Sequence, residues 1–419
     1  MMAKTPTRPP AKGAKPPAKP RAPRKKTTAV PIDPDQNIND VAAFAAAEAA
    51  YSAEDAPTAP GPEHAAPAVY PGAKTINLAL QGGGAHGAFT WGALDRLLEE
   101  ERIEVEGITA TSAGAMNAAA FKSGYVSGGR MGAKAALDLL WGEVGAMGRA
   151  SPNPLLDWVK AFNPTVENLA SAIEAGPGQY IGDTLTRMFS PYDFNPLDLN
   201  PLRTLLADKL DFDAVCRHCR PHLFISATNV RTGKIRVFRN HETTVDVILA
   251  STCLPTMFQA VEIDDPKTGK REAFWDGGFV GNPALFPLFY ETGARDIVIV
   301  HINPLERDEV PRTTREIANR MNEVSFNASL MYELRSIHFV RKLLETGVVK
   351  AGDMKNVLIH SVKDDAIMTK LGVATKSQPD AALLAALKAA GRNAMDGFLT
   401  THWDDIGHRP SVDLKKMFG

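Results

Sequence analysis

Cysteine is scarce, with three residues in 419. That is too few for a disulfide framework and fits a reducing compartment. Long apolar runs are missing too. No stretch approaches the ~18–20 uninterrupted apolar residues that a bilayer-spanning helix requires, so an integral membrane protein is not expected. No period of 20–50 residues repeats along the chain, which argues against a solenoid or propeller. The composition, 44% hydrophobic and 23% charged, excludes collagen-like and wholly disordered classes.

Residues 1–30 lack any acidic or aromatic side chain, yet carry nine Lys/Arg and seven prolines. The net charge of −1 therefore hides an asymmetry, because the other 389 residues hold 38 basic against 48 acidic side chains. So basic and Pro-broken a segment cannot bury enough surface to fold. It also lacks the apolar centre of a secretory signal, and a cytoplasmic location is expected. A solubilising tail is the simplest reading, and an Arg-rich presequence is another. Contact with anionic lipid or nucleic acid, at ~1 kcal/mol per basic group near a charged surface, is a third. Beyond a short Ala-rich helix over 40–52, residues 1–73 read as tail and linker.

From Lys74 the pattern changes. Thr75–Leu80 reads as a strand, followed by a helix to about Glu101 with Phe89, Leu94, Leu97 and Leu98 at three- and four-residue spacings. Further strands are expected at 103–111, 222–229, 234–239, 296–302 and 356–361, and helices at 113–121, 312–345 and 379–399. Alternating strands and helices imply an α/β fold with a mostly parallel sheet covered on both faces. Residues 125–205 show no clear strand and read as a cap or lid insertion, and 305–419 as mostly helical.

Three features carry chemistry. The run Gly82-Gly83-Gly84-Ala85-His86-Gly87 sits at a strand-to-helix turn, where free N–H groups attract negative charge. It suits a phosphate or the oxyanion of an acyl-transfer intermediate. A dinucleotide site would need an acid at the end of the next strand, but that strand ends Ala110-Thr111-Ser112. Ala110-Thr111-Ser112-Ala113-Gly114 is the second feature, a serine at a sharp turn between small neighbours. The third is Phe274-Trp275-Asp276-Gly277-Gly278, followed by Asn282-Pro283, which reads as the start of a helix with Asn282 as its cap.

Together the three resemble the patatin-like phospholipase family over about 74–304, and the resemblance extends toward the C-terminus. It implies a three-layer α/β/α domain over 74–419 and a lipid acyl hydrolase that needs neither metal nor cofactor. It further implies Ser112 as nucleophile, Asp276 as its dyad partner, and the amides of Gly82, Gly83 and Gly84 as the oxyanion hole. Gly87, Thr111, Gly114, Gly277 and Gly278 would support the motifs, and Ser251–Pro255 is similar to the family's apolar turn near the dyad. The chain departs from the family at Ala110, where the elbow usually has glycine, and at His86, where the family usually has Lys or Arg.

Rival readings remain open at this level. A Ser…Asp…His triad would recruit His301 or His360, each ending a predicted strand. Cys216-Arg-His-Cys219 has C-x-x-C spacing without a second pair, which makes zinc or redox chemistry a weak alternative. Leu155, Leu156, Trp158, Val159 and Phe162 read either as an apolar lid or as packing of the cap. Leu334, Ile337, Leu343 and Leu344, beside Arg335, Arg341 and Lys342, read as an ordinary core-facing helix. A lipid- or granule-surface binding protein, or a hydrolase of storage polyester, would use the same fold.

Overall fold

A computed structural model describes residues 72–148, 165–175, 190–218 and 220–418. The basic segment 1–30, the 40–52 helix, the apolar stretch 155–162 and Cys219 lie outside the described residues. The first half of the domain runs β1 (Lys74–Leu80), α1 (Gly87–Leu97), β2 (Ile103–Ala110), α2 (Ala113–Gly148), α3 (Val166–Glu174), α4 (Pro201–Lys209), α5 (Phe212–Arg217), β3 (His222–Asn229), β4 (Ile235–Arg239) and α6 (Val245–Ser251). The second half runs β5 (Val261–Asp265), β6 (Lys270–Asp276), α7 (Phe286–Tyr290), β7 (Asp296–Val300), α8 (Thr314–Glu345), β8 (Leu358–Val362), α9 (Val373–Ser377) and α10 (Ala381–His402).

The strands form one sheet in the order β5-β6-β3-β2-β1-β7-β8, with β4 on β3. Pairings from β3 through β8 along this order are parallel, whereas β4, β5 and β6 run antiparallel to their neighbours. Strand alternation divides the core in two. Ile76, Leu78 and Leu80 of β1 and Val298 and Val300 of β7 face one side, with Phe89, Leu94, Leu137, Leu383 and Leu387 of α1, α2 and α10. Ala79, Ile297, Ile299 and Ile359 face the other, against Leu288 of α7 and Leu330, Leu334 and Ile337 of α8. Every residue of β7 is buried, as expected of a parallel strand covered on both faces, and each large apolar side chain so buried is worth about 1.5–3 kcal/mol.

Four features depart from the sequence reading. β5 and β6 form a hairpin absent from the strands expected above, its turn closing at Gly269 with φ 64°. The helix after β1 ends at Leu97 rather than near Glu101. The helix expected over 113–121 continues to Gly148 through a bend at Gly128–Gly129, so residues 125–148 are not a cap. Their side chains Leu137, Leu140, Trp141 and Val144 belong to the main core, with Trp141 Nε1 donating to Asn117 Oδ1 at 2.8 Å. Finally, Asn282 caps no helix, since α7 begins at Phe286 after Leu285, and its side chain is engaged elsewhere.

Candidate active site

The site lies where β1, β2 and β6 end. After Ala110 the chain turns so sharply that Ser112 adopts φ 55°, a left-handed conformation that costs a non-glycine residue energy and persists only when its surroundings enforce it. Those surroundings are specific. Thr111 Oγ1 donates to the Gly281 carbonyl at 2.7 Å. Ser112 N–H donates to Ser251 Oγ at 2.9 Å, and Ser251 Oγ donates to the Ser226 carbonyl at 2.7 Å. A Cβ on Gly114 would collide with the Leu80 carbonyl, and one on Gly87 would fall 2.7 Å from Ala113 Cβ. Glycine at both positions thus lets strand and helix close. Ala110, the elbow departure, is fully buried within the main core, which accommodates its methyl group.

The glycine turn lies directly alongside. A Cβ on Gly82 would sit 2.5 Å from Ser112 Cβ, so only glycine brings this backbone against the serine. Gly82 N–H donates to Asn282 Oδ1 at 2.6 Å, which removes it from the three expected oxyanion donors. The Gly82 carbonyl accepts from Asn303 Nδ2 at 2.8 Å. Gln81 steadies the other end, its Oε1 accepting from the Ile302 and Asn303 N–H groups at 3.0 and 3.1 Å. Among the described residues, the N–H groups of Gly83 and Gly84 make no hydrogen bond. Gly84 adopts φ 58°, and its missing side chain leaves room for the Lys376 carbonyl.

Sheet topology delivers Asp276. β2 pairs with β3 only as far as Ile225, and β6 pairs with β3 beyond that point, matching Asp276 to Ala227. The strand ends carrying Ser112 and Asp276 are therefore neighbours. Asp276 is 0% exposed and Ser112 7%. Asp276 Oδ1 accepts from Gly278 N–H at 2.7 Å, while Oδ2 is buried without a full hydrogen bond. Its backbone is pinned on both sides, N–H to the Cys253 carbonyl at 2.8 Å and carbonyl to Thr228 Oγ1 at 2.8 Å. Burial pushes the Asp276 carboxyl up to about 6, against the lowering influence of the Ser112 hydroxyl, the Gly278 N–H and the Lys376 charge. The serine hydroxyl thus acts on a carboxylate with which it forms no fully aligned hydrogen bond here, and such catalytic contacts commonly tighten only when substrate binds. Cβ atoms on Gly277 and Gly278 would strike the Ser226 carbonyl and the Phe326 ring.

Neither His301 nor His360 bonds Ser112 or Asp276. His360 Nε2 pairs with Asp296 at 2.9 Å, and Asp296 lies level with Ile76, four residues before the end of β1. His301 has no partner at either ring nitrogen; burial lowers it to about 4, and the charges acting on it are Lys363 and Asp365. His86 Nε2 lies 2.7 Å from Thr375 Oγ1, and burial followed by the Lys376 charge holds it well below its ordinary value, hence neutral. Cys216 Sγ donates to the Thr243 carbonyl at 3.3 Å. Among the described residues no cluster of His, Cys, Asp or Glu is arranged to hold a metal, and no helix is long and apolar enough to cross a membrane. Local sequence gives no sign of these roles for Ser251, Asn282, Asn303 and Lys376, because their partners lie in other elements of the fold.

Residues 78–289 match the patatin family, described as patatin-like phospholipase, a span of just over half the chain. The chain belongs to the patatin-like phospholipase family. It is also similar to VipD from Legionella pneumophila, at 14% identity and TM-score 0.34, over 79% of this chain and 67% of that one. A second solved structure, the type III effector protein ExoU, aligns at 14% identity and TM-score 0.23, over 80% of this chain and 60% of that one. No curated protein matches the chain. Family membership supports a lipid ester hydrolase, and the matched span contains the glycine turn, the serine elbow and Asp276.

Proposed function

We propose that this patatin-like protein hydrolyses carboxylic esters of lipids through an acyl-serine intermediate, with Ser112 as nucleophile and Asp276 as its base. One observation carries the reading. A serine held at φ 55° stands beside a fully buried carboxylate whose Oδ2 has no formed hydrogen bond and whose charged form is favoured most by the Ser112 hydroxyl. With its carboxyl at about 6, Asp276 is mostly ionised at neutral pH yet far more basic than an ordinary aspartate. Asp276 takes the Ser112 proton as Oγ attacks the acyl carbonyl. The N–H groups of Gly83 and Gly84 receive the developing oxyanion, and Gly82 braces the turn through Asn282 instead. A donor in such a position is worth about 3–4 kcal/mol. Asp276 returns its proton to the leaving alkoxide, then activates the water that releases the fatty acid.

Exposed apolar side chains support an acyl-chain substrate. Tyr192, Phe194, Leu197 and Leu199 are exposed, as are Met257 and Phe279. The two loops are tied together by Ala260 N–H donating to Tyr192 Oη and Gln259 Nε2 to the Asn195 carbonyl, and Phe279 directly follows the Asp-Gly-Gly turn. The test is fatty-acid release from a short-chain chromogenic ester and from phospholipid vesicles, comparing wild type with folded Ser112→Ala. Loss of activity by several orders of magnitude is expected. Equal rates would refute the assignment and leave a lipid-binding role.

A further inference from the structure

Lys376 reaches the glycine turn from α9, far along the chain. Its Nζ donates to Asn303 Oδ1 at 2.8 Å and to Asn322 Oδ1 at 2.7 Å. Asn303 in turn donates through Nδ2 to the Gly82 carbonyl, so ammonium, amide and turn form one chain of hydrogen bonds. The Lys376 carbonyl also fills the space left by Gly84, so the residue meets one end of the turn directly and reaches the other through Asn303. Its Nζ lies 5.7 Å from the centre of the Phe326 ring, the ring that packs on Gly278 beside Asp276.

The charge on this ammonium is not spent on a close carboxylate. Two neutral amide oxygens hold it, and its acidic neighbours Glu323 and Asp276 act at longer range. Glu323 is already paired with Arg307 and Arg320. The remaining group on the turn, His86, is neutral. The positive field of Lys376 therefore falls on Asp276 and on the turn that would bind an oxyanion.

We propose that Lys376 is a positioning residue of the acyl-transfer site, fixing the Gly82–Gly84 turn through Asn303 and supplying the positive charge that faces Asp276. The proposal rests on the hydrolase reading for its consequence in turnover, though not for its electrostatics. Burial, with a smaller part from the Arg307 charge, brings Lys376 down to about 8 against the opposing influence of Glu323 and Asp276. The ammonium is charged below that pH and loses its charge above it. Wild-type kcat/KM should then fall on the alkaline side near 8.

The decisive experiment is a 13C-carboxyl NMR titration of Asp276 in the full chain, its signal assigned with Asp276→Asn. It is run on wild type, on the neutral variants Lys376→Met and Lys376→Gln, and on Lys376→Arg. The neutral variants should raise the Asp276 midpoint by about half a pH unit or more, as expected on removing a nearby opposite charge, and Lys376→Arg should leave it near wild type. In the same proteins kcat should fall about tenfold in the neutral variants, as for a misplaced oxyanion turn, with KM little changed and the alkaline limb gone. Lys376→Arg should regain most of the rate. Two neutral variants guard against one failing to fold. An unmoved Asp276 midpoint overturns the proposal whatever the turnover. A midpoint moved in the neutral variants, with no Ser112-dependent hydrolysis in wild type, upholds the charge coupling and overturns the hydrolase reading instead.

Discussion

Asp276 holds opposing demands in one side chain. Burial raises its carboxyl to about 6, which makes it a useful base, and the same burial makes its ionised form a burden on the fold. The folded pKa lies above the ordinary value of about 3.9. Asp276 therefore favours folding fully only below pH ~4, and that contribution is lost as pH rises to about 6. Two units correspond to about 3 kcal/mol. Asp276→Asn should consequently abolish turnover while raising the melting temperature at pH 7–8, and the gain should vanish at pH 4; scanning calorimetry at both pH values checks this. In wild type, kcat/KM should fall as pH drops through about 6. His301→Ala and His360→Ala should keep most of the activity in any variant that folds, since neither ring touches Ser112 or Asp276. A folded but inactive His301 variant would replace the dyad by a triad.

At the scale of elements, the site depends on backbones that approach too closely for side chains. Gly114→Ala would drive a methyl group into the Leu80 carbonyl, forcing β1 and α2 apart beneath the serine. Strong destabilisation in chemical denaturation, together with loss of ester turnover, is expected. Asn282→Ala is a gentler probe. It leaves the buried Gly82 N–H without its acceptor, a cost of about 1–3 kcal/mol, and should lower kcat by about tenfold through a loosened turn. An Asn282→Ala enzyme with unchanged kcat would show that the turn needs no brace. These elements were legible in sequence to different degrees. β1, β2, β3, β7 and β8 announce themselves by apolar runs, and the elbow by its small residues. The β5–β6 hairpin is illegible in sequence because acidic and basic side chains dominate its exposed positions. Asn282 resembles a helix cap in sequence because local sequence cannot show that the carboxamide reaches back to Gly82. Lys376 carried no local signal at all, since its meaning comes from α9 folding onto a turn formed early in the chain.

For the whole molecule, a sheet of eight strands and two cores are built from residues within 72–418. A fragment spanning 72–419 should therefore keep the melting temperature and short-chain ester turnover of the full chain. The nine basic residues of 1–30 should add binding to anionic vesicles, lost at high salt as surface charges are screened; sedimentation of both chains with vesicles measures it. Beneath these properties lies one chemical claim, that an ester's acyl group passes through covalent attachment to Ser112. The direct test is to quench the protein in acid during turnover of a p-nitrophenyl fatty ester and map the acyl group by peptide mass spectrometry. The account predicts one acyl group on the peptide containing Ser112 and none on Ser112→Ala. Acylation at another residue, or equal product release from Ser112→Ala, would contradict it.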